Sequence, residues 1–276
     1  MNTLKLKEQL QSFFIEDIGD HDATSSIVFS NEQYGRAIIT AKEDGIFAGA
    51  DIVRTGYGIL DQRVTVKLLK QDGDQICKGE NTAIIEGPIS SLLTGERVVL
   101  NLLQRMSGIA TLTNQAVICL NSSHTKICDT RKTTPGLRMI EKYAVRCGGG
   151  FNHRFGLYDG IMLKDNHITS CGSIFDAVRK VREQAGHMIK VEVEIESEEQ
   201  LLEAIEAKAD IIMFDNRTPE ETAAFVRLTP GSIITEASGG ITLQNLAQYR
   251  DTGVDFISLG MLTHSVKSLD LSMNVE

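Results

Sequence analysis

From residue 172 to residue 262 the chain alternates between two hydrophobic periods without a break. GSIFDAVRKVREQAG, SEEQLLEAIEAKA, TPEETAAFVRLT and TLQNLAQYRDTG repeat their apolar residues at helical spacing. Between and after them, IKVEVEIE, ADIIMFDN, SIITEAS and VDFISLGML read as short strands. Ser197 with Gln200 has the spacing of a capping box, and Thr218 before Pro219 is a second helix start. Repeated β-α units of this length require a parallel sheet, either closed as an α/β barrel or open and doubly wound. Polar residues gathered at the strand ends favour the barrel.

The first third of the chain reads differently. Residues 1 to about 20 carry Leu4, Leu6, Leu10, Phe13 and Phe14 near helical spacing. RAIITAK, GIFAGA, RVTVKLL and NTAIIEG then form β-rich runs separated by acidic and glycine turns, which predicts a mixed α+β domain. Thr94 to Leu120 is expected as one long helix with Thr94 as its N-cap. Its apolar stripe is Val98, Val99, Leu102, Leu103, Met106, Ile109 and Ala110, and Arg105 falls at the edge of that stripe. Such a charge either reaches an anion or snorkels to water. The expected division is residues 1–110, with the linking helix, and residues 111–276, with the C-terminal tail returning to the first domain.

The segment joining these halves, Lys126 to Ile168, carries eight Lys/Arg and four Asp/Glu, a balance of +4 in a chain of net charge −9. A cationic island in an acidic protein suits a small anion better than a nucleic acid, which the remaining −13 would repel. Five widely spaced cysteines with no CxxC pair suggest buried free thiols, and neither a disulfide framework nor a zinc site. No targeting segment or apolar run of about 18 residues is visible, so no membrane association and a cytoplasmic location are expected.

Three segments of the island end in cations: Arg131 and Lys132, His153 and Arg154, and Lys164. Arginine matches carboxylates in bidentate fashion, so such a set would hold a small polycarboxylate, although each alone also reads as a solvated charge. Glu194 lies late in one strand and Asp215 ends the next. Two such carboxylates suit a Mg²⁺–phosphate complex, or else simply begin the next turn. Ser238-Gly239-Gly240 and Leu259-Gly260 end the last two strands, where glycine allows backbone N–H groups to approach a phosphate, aided by a helix starting near Thr242. His264 either touches that phosphate or is an ordinary helix histidine.

TRKTTPGLR (130–138), CGGGFNHRFGLYDG (147–160) and LKDNHI (163–168) together resemble quinolinate phosphoribosyltransferase, a likeness extended by GERVVLNLLQRMSGIAT, VEVE, FDN, SGG and LGMLTHSVKSLDLSMNV. The resemblance covers the whole chain. It implies an incomplete TIM-like α/β barrel with an N-terminal α+β sandwich domain, working as a homodimer or larger assembly. The implied reaction joins quinolinate to phosphoribosyl pyrophosphate with Mg²⁺ and releases pyrophosphate and CO₂. Carried over by motif, Lys132, Lys164, Glu194 and Asp215 would be catalytic, with Glu194 and Asp215 holding the metal directly or through water. Arg131, His153 and Arg154 would line the substrate pocket, Arg105 would reach it from the partner subunit, and Ser238, Gly239, Gly240, Gly260 and His264 would surround phosphate.

One departure is Arg217, where the family more often carries a hydrophobic residue. A barrel subfamily linked to molybdenum transport shares part of the first two motifs, but LKDNH favours the quinolinate enzyme. Two other readings use the same residues: a Schiff-base aldolase employing Lys132 or Lys164, and a non-catalytic phosphoribosyl-ligand sensor.

Overall fold

A computed structural model describes residues 1–30 and 32–276. In chain order the first elements are α1 (Thr3–Ile18), α2 (Ser25–Val28), β1 (Tyr34–Ala41), β2 (Gly45–Ile46), α3 (Ala50–Leu60), β3 (Thr65–Leu68), β4 (Gln75–Ile76), β5 (Asn81–Pro88) and α4 (Ile89–Leu120). Then come β6 (Lys126–Cys128), α5 (Arg138–Cys147), β7 (Ile161–Leu163), α6 (Asp165–Cys171), α7 (Ile174–Gln184), β8 (Val191–Ile195), α8 (Glu198–Glu206) and β9 (Ile211–Asp215). The chain closes with α9 (Pro219–Leu228), β10 (Ile234–Ser238), a 3₁₀ segment (Leu246–Tyr249), β11 (Phe256–Ser258), α10 (Met261–His264) and β12 (Leu271–Val275). These fall into two compact units: Met1–Asn114 with Met139–Gly149 and Ser265–Glu276, and Gln115–Arg138 with Gly150–His264.

The first unit is built on an antiparallel sheet of order β12-β1-β5-β3. Its outer strand β12 comes from the C-terminal tail, which is anchored on α4 by the Gln104 Nε2 bond to the Leu271 carbonyl (2.8 Å) and the Leu269 N–H bond to the Gln104 carbonyl (2.9 Å). Asn2 caps α1 by accepting from the Leu4 and Lys5 N–H groups, and Leu6, Leu10 and Phe14 are its buried face. All seven apolar residues of the expected α4 stripe are buried.

Two expectations need correction here. Helix α4 begins at Ile89, so Thr94 lies inside it and donates its hydroxyl to Asp22 (2.8 Å) instead of capping. The run GIFAGA is split into the two-residue β2 and the start of α3. Gly49, at φ +125°, turns the chain, and Asp72 accepts from the Gly49 and Ala50 N–H groups at 2.7 and 2.9 Å, supplying the cap from across the unit.

The second unit carries six parallel strands in the order β6-β11-β10-β9-β8-β7. Cys128 of β6 also makes a parallel bridge to Phe151, whereas β7 pairs with β8 alone among the described residues. The sheet thus stops short of closure and forms an incomplete TIM-like barrel. Val191, Val193 and Ile195 of β8 are fully buried, and strand alternation places Glu192 and Glu194 on the opposite, inner face. On β9, Phe214 packs edge-to-face on Phe225 of α9 with ring centroids 5.5 Å apart, which turns Asp215 inward. Thr218 and Glu221 form a complete capping box for α9. At α8 only half the box forms: Ser197 accepts from the Gln200 N–H, but the Gln200 side chain accepts from Glu196.

No regular helix follows Thr242; the chain makes a turn held by Asn245 and then the short 3₁₀ segment. All five cysteines are free, but only Cys128 is buried and Cys77 is exposed, against the expectation of buried thiols. No helix among the described residues is long and apolar enough to cross a membrane.

Candidate active site

Three pairs of strand tips bring chain-distant residues together at the C-terminal end of the parallel sheet. Lys164 directly follows β7, and its Nζ lies 2.5 Å from Glu194 Oε2 on neighbouring β8. Asp215 and Ser238 are register partners at the ends of β9 and β10. Asn216 adopts φ +54°, donates its side-chain amide to Asp215 Oδ2 (2.7 Å) and its backbone N–H to the Ser238 carbonyl (2.8 Å). Gly239, at φ +85°, sits so close to Asn216 that any Cβ would collide with Asn216 Oδ1. Position 239 therefore has to be glycine, beside Asn216 and the β9 tip.

The third pair joins β6 to β11. A Cβ on Gly260 would lie 3.0 Å from Lys132 Cδ and 3.2 Å from His264 Nε2, so these three residues are neighbours. Thr263 donates its hydroxyl to the Lys132 carbonyl (2.8 Å), fixing the loop that carries Lys132. Arg131 is exposed beside them in sequence. Burial, and then the nearby Arg131 charge, lower the Arg154 pKa below the ordinary guanidinium value. Arg154 spends Nη1 on the Gly160 carbonyl (2.8 Å), while its buried Nε has no hydrogen-bond partner among the described residues. Two neighbouring guanidinium groups with a buried free donor create a strong demand for an anion.

Two residues expected in the pocket, Arg105 and His153, have protein partners within the chain. Arg105 places Nε and Nη2 at 2.8 and 2.6 Å from Glu141 Oε1, a carboxylate with no solvent exposure in its own unit. The anion it reaches in this chain is therefore Glu141. The imidazole of His153 points toward Glu192 and Glu236 and, together with Arg154, lines a cavity of about 410 Å³ whose other walls include Cys128, which ends β6, and Ile211 and Ile234, which begin β9 and β10.

Several participants escaped the sequence reading: Asp129, Glu141, Glu192, Glu236 and Ser258. Burial is what distinguishes them. Asp129 has no exposure and accepts from Asn152 Nδ2 (2.6 Å) and the His153 N–H (2.9 Å). Glu236 accepts a very short hydrogen bond from Ser258 Oγ. Only the alternation in VEVE offered a clue, since it places Glu192 on the same face as Glu194. Arg217 donates Nε to the Asp215 carbonyl (3.0 Å) and lies 3.5 Å from Glu221, so it braces the β9 tip.

An incomplete α/β barrel whose strand tips combine cations, inward carboxylates and glycine turns defines an enzyme that handles phosphorylated and carboxylated small molecules. Residues 22–107 match the model of the quinolinate phosphoribosyl transferase N-terminal domain, and residues 109–274 match that of its C-terminal domain. The chain belongs to the quinolinate phosphoribosyltransferase family. It is 62% identical over 275 residues to a probable carboxylating nicotinate-nucleotide pyrophosphorylase of Bacillus subtilis, covering 100% of this chain and 95% of that protein. A chloroplastic relative from Arabidopsis thaliana, of the same name without "probable", is 39% identical, covering 99% of this chain and 84% of its own length. The crystal structure of NadC from Streptococcus pyogenes superposes with a TM-score of 0.97 at 40% identity, covering 100% of this chain and 98% of that one.

Proposed function

We infer that this protein is a decarboxylating quinolinate phosphoribosyltransferase of NAD biosynthesis, which joins quinolinate to phosphoribosyl pyrophosphate to give nicotinate mononucleotide, pyrophosphate and CO₂. The observation that carries the reading is the convergence of Lys164, Glu194, Asp215, Lys132 and the Gly239 turn on the strand tips of a barrel matched along its length by this family.

The chemistry follows from those groups. As pyrophosphate departs, the ribose ring gains oxocarbenium character, and Glu194 and Asp215 provide negative charge beside it. The pyridine nitrogen of quinolinate forms the new bond to the anomeric carbon, and no covalent enzyme intermediate is needed. The alkylated ring is then cationic. Loss of the adjacent carboxylate as CO₂ leaves an electron pair on a ring carbon stabilised by that charge, and protonation completes the nucleotide. Lys132, Lys164, Arg131 and Arg154 orient the departing and retained carboxylates. Ser238, Gly239, Gly240, Gly260 and His264 receive phosphate.

The oxygen-only donor set at the β8 and β9 tips suits Mg²⁺, which keeps several of its ligands as water and substrate phosphate. Asp215 would hold it, with Glu194, which also pairs with Lys164, contributing through water. When bound, the ion neutralises the pyrophosphate leaving group. The reading further includes a homodimer and a cytoplasmic location. Arg105, whose Nε and Nη2 face Glu141, would reach a partner's ligand through the rest of its guanidinium.

Incubating purified protein with carboxyl-labelled quinolinate, phosphoribosyl pyrophosphate and Mg²⁺ tests the proposal. Quinolinate-dependent nicotinate mononucleotide with stoichiometric labelled CO₂ is expected. Binding of both substrates without CO₂ would point to a sensor, and turnover of nicotinate in place of quinolinate would overturn the substrate assignment.

A further inference from the structure

Beneath the strand tips lies a buried polar cluster to which the reaction above gives no part. His153, Glu192 and Glu236 place one ligand-type atom each within 4.8 Å of one another. His153 Nε2 lies 3.1 Å from Glu192 Oε2 and 3.7 Å from Glu236 Oε1, and both carboxylates are almost wholly buried. On the other side of the ring, the Arg154 backbone N–H donates to His153 Nδ1 at 2.8 Å. An N–H can be accepted only by a nitrogen with a free lone pair, so Nδ1 is unprotonated and the ring proton sits on Nε2, facing Glu192.

We propose that Glu192 and Glu236 are positioning residues that hold His153 in its Nε2–H tautomer, so that Nδ1 receives the Arg154 N–H and sets Arg154 for a substrate carboxylate. The proposal rests on the function inferred above for its substrate. The chain of contacts is short: Glu192 to the imidazole, the imidazole to the Arg154 peptide, and the Arg154 side chain to the Gly160 carbonyl, with Nε left available. Asp129 secures the same segment from a second direction through Asn152 Nδ2 and the His153 N–H.

Glu236 has a distinct part. Two ionised carboxylates beside Nε2 would favour the imidazolium, whose Nδ1–H would face the Arg154 N–H donor to donor. Burial first, and then the Glu192 charge, push the Glu236 carboxyl up to about 7, against the opposing pull of His153 and the Ser258 hydroxyl; Asp129 adds a further raising charge. A proton held on Glu236 reduces the negative charge beside Nε2 and so favours the neutral ring. The same geometry argues against a metal site on these three residues: a metal at Nε2 needs the lone pair that this tautomer places on Nδ1.

The direct test is the ¹⁵N NMR signature of His153 in the full wild-type protein near neutral pH. A pyrrole-type Nε2 and a pyridine-type Nδ1 are expected. An Nδ1–H tautomer, an imidazolium, or loss of the Nε2 proton on adding Mn²⁺ or Zn²⁺ would overturn the proposal, whatever the enzyme's substrate proves to be. Kinetics provide a second arm. Asparagine can place its carbonyl near the Nδ1 position and glutamine near Nε2, so His153→Asn should raise KM for quinolinate about 3-fold and His153→Gln at least about 10-fold, because slight misplacement of a binding group is costly. Glu192→Leu should raise KM about 10-fold in the wild-type background but have little further effect on His153→Asn, which has no tautomer to fix. Greater tolerance of glutamine than asparagine at residue 153, or full additivity of Glu192→Leu with His153→Asn, would show that the imidazole acts through Nε2 or that Glu192 acts elsewhere.

Discussion

Replacing Arg105 with alanine separates two roles that one arginine could have. Its guanidinium makes two close contacts, 2.8 and 2.6 Å, with one oxygen of Glu141. The carboxylate has no solvent exposure, whereas the arginine side chain is 25% exposed. Breaking a buried ion pair from one side costs about 3–5 kcal/mol, since the remaining charge stays desolvated. Because water reaches the arginine end of this pair, about 2–3 kcal/mol is expected, or roughly a 4–12 °C drop in Tm for a chain of this size. Glu141→Gln removes the stranded charge, so Arg105→Ala should cost at least about 1 kcal/mol less in that background than alone. Urea denaturation of the four proteins, read by circular dichroism, supplies the cycle. If Arg105→Ala unfolds like wild type and loses all turnover, Arg105 serves a ligand and the structural role assigned through Glu141 is wrong. Subunit mixing with Lys132→Ala would then show whether that ligand belongs to the partner, because only a shared site regains activity in the heterodimer.

Other outcomes follow from the strand tips and the buried cluster. Lys164→Ala should lower kcat/KM by about 10²–10³-fold with a small change in stability, since a partly exposed pair adds little to folding while a charge placed at the reacting centre contributes strongly to rate; equal activity in a steady-state assay would remove Lys164 from the site. Gly239→Ala introduces a side chain at φ +85° against Asn216, so a cost of about 1–3 kcal/mol and weaker binding of phosphoribosyl pyrophosphate are expected by calorimetry. Glu236 titrates near 7 in the folded chain against an ordinary 4.5, so the native state holds this proton more tightly than the unfolded state. Its contribution is complete below about pH 4.5 and falls by up to about 3 kcal/mol as pH rises through 7. In Glu236→Gln that slope should vanish, so the variant gains on wild type between pH 5 and pH 8 in urea melts; a constant difference at the two pH values would contradict the assignment.

Local pattern made much of the second unit legible. Strands β8, β9, β10 and β11 and helices α7, α8 and α9 all fall within their expected runs, because each buries one face and so repeats its apolar residues at a fixed period. Where the cause of a structure lies far away in sequence, the pattern is silent. Helix α3 is capped by Asp72, and α4 extends five residues ahead of Thr94, whose hydroxyl donates to the distant Asp22.

The same division runs through the site. Lys164, Glu194, Asp215 and the Gly239 turn were visible because a motif names them and strand ends are where barrels collect reactive groups. The partners of Arg105 and His153 were not visible. From sequence alone, a charge on an apolar stripe or a histidine beside an arginine calls only for something to satisfy it. Chain alternation and motif spacing determined the barrel, its cationic island and the family. Tertiary packing alone decided which partners those polar groups find within the chain, Arg105 on Glu141 and His153 on Glu192, because the cost of an unpaired buried charge is settled by neighbours brought together only when the chain folds.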